Sequence, residues 1–290
     1  MAYFSHSKIS TFEQCKYKYK LQYIDKVKVE IPTTIEAFMG STVHKALEKL
    51  YYTLINYGRV MTKKDVVRFY LEEWKKNFSD DILIVNNRFN ADDYKNQGII
   101  YILDYYKTHF PFRRHITLAV ETQDKIKLGQ DYYHIRIDRL DTDGRGTYLV
   151  CDYKTSSRMK TPEEVKQDRQ LYMYSLWIKE RYDKAKKVKL LWHMLKFNRD
   201  ILVDADYEQA EKVKEEVIKK IKEIKRTREF PANKSVLCKW CIYKDICPYY
   251  HSDDSPIEKH SEQVESILSN LKEEHFRSET TIQNKLRKFF

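Results

Sequence analysis

Three short β-rich segments stand together in the middle of a chain whose remaining segments have helical periodicity. They read ITLAVETQDKIKL, YYHIRIDRLD and GTYLVCDYK within residues 116–154, and turn residues separate them at 129–131 and 141–144. Short β-rich runs joined by such turns predict consecutive antiparallel strands. The chain must therefore build a sheet and cover it with the helices on either side.

Helical periodicity on both sides of this block supplies the covering layers. The helical patterns cover about residues 7–25, 42–57, 62–78, 91–110, 161–182 and 206–230, and a fourth strand covers about 186–197. In the second of these helices, an apolar stripe follows Gly40 and Ser41, and His44 lies in the first turn. The element order predicts an α/β (α+β) fold in which a central mixed sheet is flanked by helices.

Charge and composition favour a polyanionic partner. The 290 residues carry a formal net charge of +11 and include 23 tyrosines. A basic surface with exposed aromatic rings suits nucleic acid, although solvated lysine-rich helix faces would give the same composition. The sequence has no long apolar run and starts without a secretory pattern, so we expect a cytoplasmic protein. Few glycines and many lysines, tyrosines, asparagines and isoleucines suit an AT-rich genome, so we expect a bacterial, archaeal or viral source.

Two acids and a lysine occur at the ends of neighbouring predicted strands. Asp138 ends the strand HIRID, and Asp152 and Lys154 end LVCDYK. Residues two apart point to the same face, so the three side chains converge if the strands pair. Two carboxylates hold a hard divalent cation, and an ammonium can place water or stabilise a phosphate. A strand-end salt bridge is the simpler alternative.

Five cysteines and no export signal argue against a disulfide framework. Cys238, Cys241 and Cys247 cluster near the end, Cys15 lies near the start, and Cys151 lies inside an apolar strand. The four outer cysteines can supply four thiolates to one metal or cluster, and thiolate count alone allows zinc or iron–sulfur. Cys151 is interpreted as a small core residue.

Five segments taken in order resemble one family of enzymes. They are SKISTFEQCKYKYKLQYI, GSTVHKALEKLY, IRIDRLD with YLVCDYKTS, QLYMYSLWI and CKWCIYKDIC, spanning residues 7–248. The order resembles the PD-(D/E)XK nucleases, in the branch of the RecB and AddB nuclease domains and the CRISPR-associated RecB-like exonucleases. The resemblance implies a restriction-endonuclease-like fold, with a helical insertion at about 41–111.

Site residues follow from this resemblance. It implies that Mg²⁺ or Mn²⁺ is bound by His44, Asp138, Asp152 and the backbone carbonyl of Tyr153. Glu121 would be a further ligand or a supporting acid. Lys154 would be the catalytic lysine. Gln170 and Tyr174 would line the site, contacting DNA or orienting the lysine, although one helical turn of simple packing gives the same spacing.

The chain also departs from the family pattern. Lys16 stands where relatives often have proline, Ile135 where they have glycine, and Asp152 where many have glutamate. The shorter Asp152 bears on the expected metal preference more than on the expected activity. In the resembled branch, a cysteine set like this one holds a four-iron four-sulfur cluster. The resemblance therefore implies such a cluster at Cys15, Cys238, Cys241 and Cys247, in a structural role and with zinc as the alternative.

The implied function is metal-dependent DNA hydrolysis, as an exonuclease on single strands or DNA ends. Base-stacking candidates, each equally compatible with the core, are Tyr17, Tyr19, Tyr172 and Trp177. The nuclease domain would span residues 1–250, with the cysteine segment at 238–248. The amphipathic tail 251–290 suggests a helix that binds a protein partner or packs on the core. The alternative function is a DNA-binding adaptor subunit in a recombination, repair or CRISPR adaptation complex; a redox iron–sulfur protein would leave the acids and lysine unexplained.

Overall fold

The computed structural model describes residues 1–29, 33–86 and 88–250. Among these, residues 1–4 and 33–219 form one unit, and residues 5–29 and 220–250 form a second. The predicted helical tail at 251–290, with its partner-binding role, lies outside the described residues. No helix within the described ranges is long and apolar enough to cross a membrane.

A six-stranded mixed sheet forms the centre of the first unit. Its strands are β1 (Tyr3–Phe4), β2 (Ile116–Leu128), β3 (Asp131–Thr142), β4 (Thr147–Lys154), β5 (Lys187–Met194) and β6 (Arg199–Asp204). The spatial order is β1-β3-β4-β5-β6, with β2 paired to β3. The β2–β3, β3–β4 and β5–β6 pairs are antiparallel, whereas β1–β3 and β4–β5 are parallel. The predicted central mixed sheet flanked by helices is confirmed.

The helices begin at the polar caps that their sequences provide. They are α1 (His6–Gln14), α2 (Lys16–Tyr19) with a wider turn at Lys20–Ile24, α3 (Ile35–Tyr57), α4 (Lys63–Asn77), α5 (Ala91–His109), α6 (Pro162–Lys166), α7 (Arg169–Arg181) and α8 (Tyr207–Arg226). Thr62 and Asn90 form capping boxes with Asp65 and Asp93 at the starts of α4 and α5. Gly58 ends α3 with a φ of 61°, a left-handed conformation that glycine adopts without a steric penalty.

Helices cover the sheet through apolar faces. Helix α7 packs against β3, β4 and β5, and α3 packs against α4, α5 and the β2–β3 pair. Met173 and Ile178 of α7 are fully buried, as are Val150 of β4 and Leu190 of β5. Helices therefore cover strands β2, β3 and β4, which carry several of the predicted site residues.

Some predicted element boundaries were wrong. Helix α3 starts at Ile35 instead of near Gly40, because the Thr34 side chain accepts a hydrogen bond from Ala37 N, so His44 lies in its third turn. Strand β3 continues beyond Asp138 to Thr142, because its later residues pair with β4. The prediction also missed β1, which has two residues, and the short β6.

Candidate functional site

Helix α3 approaches the end of β4 closely because Gly40 lacks a side chain. A Cβ atom at Gly40 would lie 2.8 Å from Thr155 Oγ1, which is closer than real Cβ contacts. One turn later, His44 Nδ1 lies 3.4 Å from Asp138 Oδ2. The glycine therefore allows α3 to place an imidazole beside the acid of β3.

Asp138 and Asp152 form the acidic centre of the site. Arg139 of β3 pairs with Cys151 of β4. Asp138 directly precedes Arg139 in sequence, and Asp152 directly follows Cys151, so the two acids lie at the same side of this pair. Asp138 Oδ2 accepts a hydrogen bond of 2.8 Å from Tyr153 N. Burial, and then the charge of the neighbouring Asp152, raise the pKa of Asp138 to about 6. Two close, shielded carboxylates make this point favourable for a cation.

Lys154 supplies a positive charge next to these acids. Its Nζ is ion-paired with Asp152 Oδ2 and lies 5.0 Å from the centre of the Trp192 ring. Burial is the largest single influence and lowers the pKa of Lys154, but the charge and hydrogen bond of Asp152, together with the charges of Asp138 and Asp168, raise it overall. The lysine is therefore a cation at neutral pH.

Glu121, whose carboxylate lies near His44 and Asp138, has an unusual backbone conformation. Its φ is 45°, in the left-handed region that a glutamate rarely occupies. It lies between Val120 and Thr122, which pair with Arg139 and Ile137. Ligand atoms of Glu121, His44 and Asp138 all lie within 4.8 Å of one another. Strained residues of this kind concentrate at functional sites.

A cleft of about 400 Å³ opens onto this group. Its lining includes Gly40, His44, Lys45, Glu48, Glu121 and Arg136. Arg136 Nε and Nη2 donate to Glu121 Oε2 at 3.3 and 3.1 Å. Burial, and then the neighbouring Glu121, raise the pKa of Glu48. The cleft therefore combines crowded acids with an exposed guanidinium.

Gln170 and Tyr174 hold the backbone beside Asp138. Gln170 Nε2 donates to the Tyr174 hydroxyl, and that hydroxyl donates to the carbonyl oxygen of Arg136. Tyr174 is buried. These two residues therefore fix the backbone of β3 two positions before Asp138.

The comparisons with known proteins agree with this geometry. A family model described as the PD-(D/E)XK nuclease superfamily matches residues 3–248. The chain belongs to this superfamily.

Two solved structures similar to this superfamily member span most of both chains. A protein from Eubacterium rectale, provisionally named an exonuclease, has a TM-score of 0.53 and 11% identity, covering 89% of this chain and 91% of its own. SSO0001 has a TM-score of 0.34 and 18% identity, covering 84% of this chain and 98% of its own. No curated protein matches the sequence. The likeness to the Eubacterium rectale protein concerns the fold alone.

In this nuclease-family chain, the structure brings the sequence-predicted residues into one neighbourhood. His44, Glu121 and Asp138 form one group, while Asp152 lies beside Asp138 and pairs with Lys154. Sequence reasoning missed Arg136, although HIRID places it two residues before Asp138. That spacing could have identified it.

For three of the four aromatic residues that the sequence left between base stacking and the core, the structure selects the core. Tyr19, Tyr172 and Trp177 are buried. Trp177 Nε1 donates to Asp124 Oδ2 at 3.0 Å, so its polar edge is used inside the protein. These three residues are core residues of the fold. Tyr17 is half-buried and lines the pocket of the cysteines in the second unit.

The second unit gathers four of the five cysteines around one pocket of about 40 Å³. Its cysteine lining comprises Cys15, Cys238, Cys241 and Cys247. Backbone N–H groups of Lys18 and Asn233 donate to Cys15 Sγ at 3.4 and 3.5 Å. Among the described residues, the groups with all ligand atoms within 4.8 Å contain no cysteine. The thiols share a pocket without this close spacing.

On the opposite face of the sheet, the guanidinium of Arg139 is buried, with 3% of the residue exposed. Its Nε donates to both oxygens of Asp141 at 3.1 Å. The remaining N–H groups go to four neutral acceptors: the hydroxyls of Tyr105 and Tyr153, Cys151 Sγ and His193 Nε2. All five guanidinium donors are therefore used.

This network ties the back of the sheet to the acidic centre. Tyr153 accepts a 2.7 Å hydrogen bond from Arg139 through its side chain, and its own N–H donates to Asp138. Arg139 follows Asp138 directly, and Tyr153 lies between Asp152 and Lys154. The buried cation therefore helps to position the residues that flank it in sequence.

The network continues to a second group of potential metal ligands: His109, His193 and Asp200. Arg139 Nη2 lies 3.3 Å from His193 Nε2, and His193 Nδ1 lies 2.5 Å from Asp200 Oδ1. Since Nε2 faces a donor, the neutral tautomer with the proton on Nδ1 satisfies both contacts. Both ring nitrogens are thus used in hydrogen bonds, so we interpret the group as structural.

Replacing Arg139 should be costly for stability. Arg139→Met leaves the buried Asp141 without its counter-charge, so we expect a loss of about 3–5 kcal/mol in the free energy of unfolding. Urea unfolding would measure it, with the exposed Arg145→Met as the matched control. Adding Asp141→Leu should recover part of the loss, because no buried charge then remains unpaired. Wild-type stability of Arg139→Met alone would contradict the account.

The histidines behind the sheet should make stability depend on pH. Burial, and then the nearby His193, lower the pKa of His109 from 6.5 to about 4. Between those values the unfolded chain binds more protons than the folded chain, so stability falls as pH drops below 6.5. The urea midpoint should fall less between about pH 7 and about pH 5 in His109→Gln than in the wild type. His134→Gln, at an exposed position, is the control; equal losses in all three proteins would refute the assignment.

Proposed function

We propose that the chain is a metal-dependent deoxyribonuclease, acting as an exonuclease on single-stranded DNA or DNA ends. The observation that carries this proposal is the convergence of His44, Asp138, Asp152 and Lys154, with Glu121, beside one open cleft. Superfamily membership supports nuclease chemistry. The provisional name of the Eubacterium rectale protein agrees with exonuclease action.

The donor set fits a hard divalent cation, Mg²⁺ or Mn²⁺. His44, Asp138, Asp152 and the carbonyl of Tyr153 would hold it, with Glu121 as a further carboxylate. The raised pKa of Asp138 supports the fit, because burial and a second carboxylate leave negative charge that a cation would neutralise. When bound, such an ion lowers the pKa of water and neutralises a phosphate oxygen.

The remaining residues position the reactants. Lys154, kept protonated by Asp152, would orient the attacking water or stabilise negative charge on the phosphate. Tyr174 and Gln170 would keep Asp138 in place through the Arg136 carbonyl. Gly40 would leave space where α3 meets Thr155. In this mechanism, the protein contributes mainly preorganised charge and position.

Asp152→Ala and Lys154→Ala should each lower Mg²⁺- or Mn²⁺-dependent cleavage by at least about 10²-fold, because each removes charge at the reacting phosphate. The assay follows single-stranded and duplex DNA labelled at either end. Lys160→Ala is the matched control, since Lys160 Nζ also lies over the Trp192 ring, at 4.4 Å. Lys160→Ala should retain activity.

Two outcomes would overturn the assignment. Cleavage by folded Asp152→Ala at the wild-type rate would place the chemistry elsewhere. No cleavage by the folded, metal-loaded wild type under any of these conditions would favour the DNA-binding adaptor. The position of the label released first distinguishes exonuclease from endonuclease action and gives its polarity.

We also propose that Cys15, Cys238, Cys241 and Cys247 hold a structural four-iron four-sulfur cluster, with zinc as the alternative. Their common pocket supports this proposal. The sulfur atoms of three of them already accept backbone N–H groups: Cys15 from Lys18 and Asn233, Cys238 from Ser235, and Cys241 from Tyr243. Hydrogen bonds of this type stabilise metal-bound thiolates.

Cys238→Ser should lose bound metal and stability, because one of the four thiolates is missing. The chain would be purified without oxygen and examined by elemental analysis for iron and zinc, visible absorbance and thermal unfolding. Cys151→Ser is the control, because Cys151 lies buried in the first unit and should leave the metal content unchanged. A metal-free, equally stable Cys238→Ser and wild type would reject the metal site; bound zinc without iron would select the alternative.

The wider assignments rest on the sequence. We propose that residues 1–250 act as the nuclease domain with a helical insertion at about 41–111, in the cytoplasm of a bacterial or archaeal cell or of a virus-infected host. A protein partner for residues 251–290 remains a prediction on residues outside the described ranges. An inactive wild type in the cleavage assay would favour a role that depends on such a partner.

A further inference from the structure

One face of the β2–β3 pair carries a row of basic and aromatic side chains, which we call the ribbon strip. It consists of Tyr3, Lys125, Lys127, Tyr132, His134 and Arg136. Across the pair, Lys127 lies opposite Tyr132 and Lys125 opposite His134. The ribbon strip is therefore a solvent-facing surface shared by β2 and β3, with Tyr3 of β1 at one end.

The far end of the ribbon strip is a stack of rings. The Tyr3 and Tyr132 rings are stacked, with centroids 5.4 Å apart and planes at 20°. The Tyr3 ring also contacts His134, with centroids 5.4 Å apart. Tyr3 is 46% exposed, whereas the next residue, Phe4, is buried. An accessible aromatic pair is available at this end.

Positive charge lies directly over these rings. Lys125 Nζ is 4.6 Å from the Tyr132 ring centre and 5.4 Å from the Tyr3 ring centre. Lys127 is exposed on the same strand, two residues further on. Rings with neighbouring ammonium groups match a nucleotide, because the base can stack while the phosphate meets a cation.

The near end of the ribbon strip reaches the candidate site. Arg136 lines the cleft and contacts Glu121, whose carboxylate lies within 4.8 Å of ligand atoms of His44 and Asp138. From Tyr132 to Asp138 the six steps of β3 cover about 20 Å. That length accommodates a few nucleotides of a single strand. The strip is thus continuous with the place where a phosphate would react.

A solvated strand face would account for the lysines but not for the ring stack. Polar alternation is normal on one face of an antiparallel pair. Here the exposed row also includes two stacked tyrosines, and its cations extend to the cleft through Arg136, whose side chain is 69% exposed. Charge complementarity and continuity with the site both favour a polyanion with accessible bases.

We infer that the ribbon strip binds a single DNA strand and leads it to the candidate metal site. This inference rests on the proposed function and names the surface that holds its single-stranded substrate. Tyr3 and Tyr132 stack with bases, Lys125 and Lys127 contact phosphates, and Arg136 binds the phosphate nearest the cleft. Duplex DNA cannot offer unpaired bases to the rings, so the strip discriminates in favour of single strands.

Binding is tested by fluorescence anisotropy with a labelled oligothymidine about 15 nucleotides long. The full chain carries Asp152→Ala so that the probe is not consumed. Tyr3→Leu and Tyr132→Leu should each raise Kd at least about fivefold, because base stacking is lost. Lys125→Gln should lower the slope of log Kd against log salt by about 0.7, the value for one phosphate contact.

Matched controls lie on a different surface. Tyr57→Leu and Lys64→Gln change an exposed tyrosine and an exposed lysine outside the strip, and binding should not change. A blunt duplex should bind all ring variants as it binds the parent protein. If Tyr3→Leu unfolds, Tyr132→Leu and Lys125→Gln provide the test, with thermal unfolding as the check on folding.

Cleavage assays separate this inference from the proposed function. With Asp152 restored, ring variants should lose activity on the oligonucleotide but retain it on thymidine 5′-p-nitrophenyl phosphate, which has no neighbouring base. An inactive wild type whose binding still depends on the rings would reject the nuclease activity but leave strand binding intact. An active wild type whose ring variants bind normally, or lose single strands and duplex equally, would overturn the ribbon strip as a single-strand track.

Discussion

A buried guanidinium, that of Arg139, is the interaction on which the rest of the site depends. A charge taken out of water is costly unless a counter-charge and hydrogen bonds replace the solvent. Asp141 provides the charge, and four neutral acceptors take the remaining donors. Because those acceptors come from β4, β5 and α5, the arginine joins elements that are distant in sequence. Loosening any of them would leave a polar atom unpaired.

Strand alternation converts this buried network into a precise arrangement of reactive groups. Asp138 and Arg139 are neighbours in sequence, yet Asp138 faces the candidate site and Arg139 faces the buried network. Tyr153 is similarly inserted between Asp152 and Lys154, with its phenol bound to Arg139 and its N–H bound to Asp138. The same short segments therefore supply both the chemistry and its support. The opposite charges of Asp152 and Lys154 at the end of an apolar strand therefore flank a residue, Tyr153, that the buried network holds in place.

The sequence predicted what local patterns determine. Alternation identified β2, β3 and β4, and the spacing of Asp138, Asp152 and Lys154 pointed to one place. It missed β1, because two residues carry no periodic signal and pair with β3 at a separation of 129 positions. The sequence did not single out Arg139, since its acceptors come together only in the folded sheet. The buried Tyr172 and Trp177 show the converse: aromatic type alone does not reveal which rings reach solvent.

The acids of the cleft explain why a basic approach such as the ribbon strip matters for an anionic strand. Under the proposed function, a phosphodiester would enter a cleft lined by Glu48 and Glu121, with Asp138 close to Glu121. The raised pKa values of Glu48 and Asp138 reflect burial and their acidic neighbours. Another anion would be repelled there without compensation. Cations along β2 and β3 hold a strand outside the cleft, where solvent lowers the cost, and Arg136 continues their charge to its edge. Under the proposed function, affinity would thus be gained along the approach, and the acids would need only to act on the phosphate that the strand delivers.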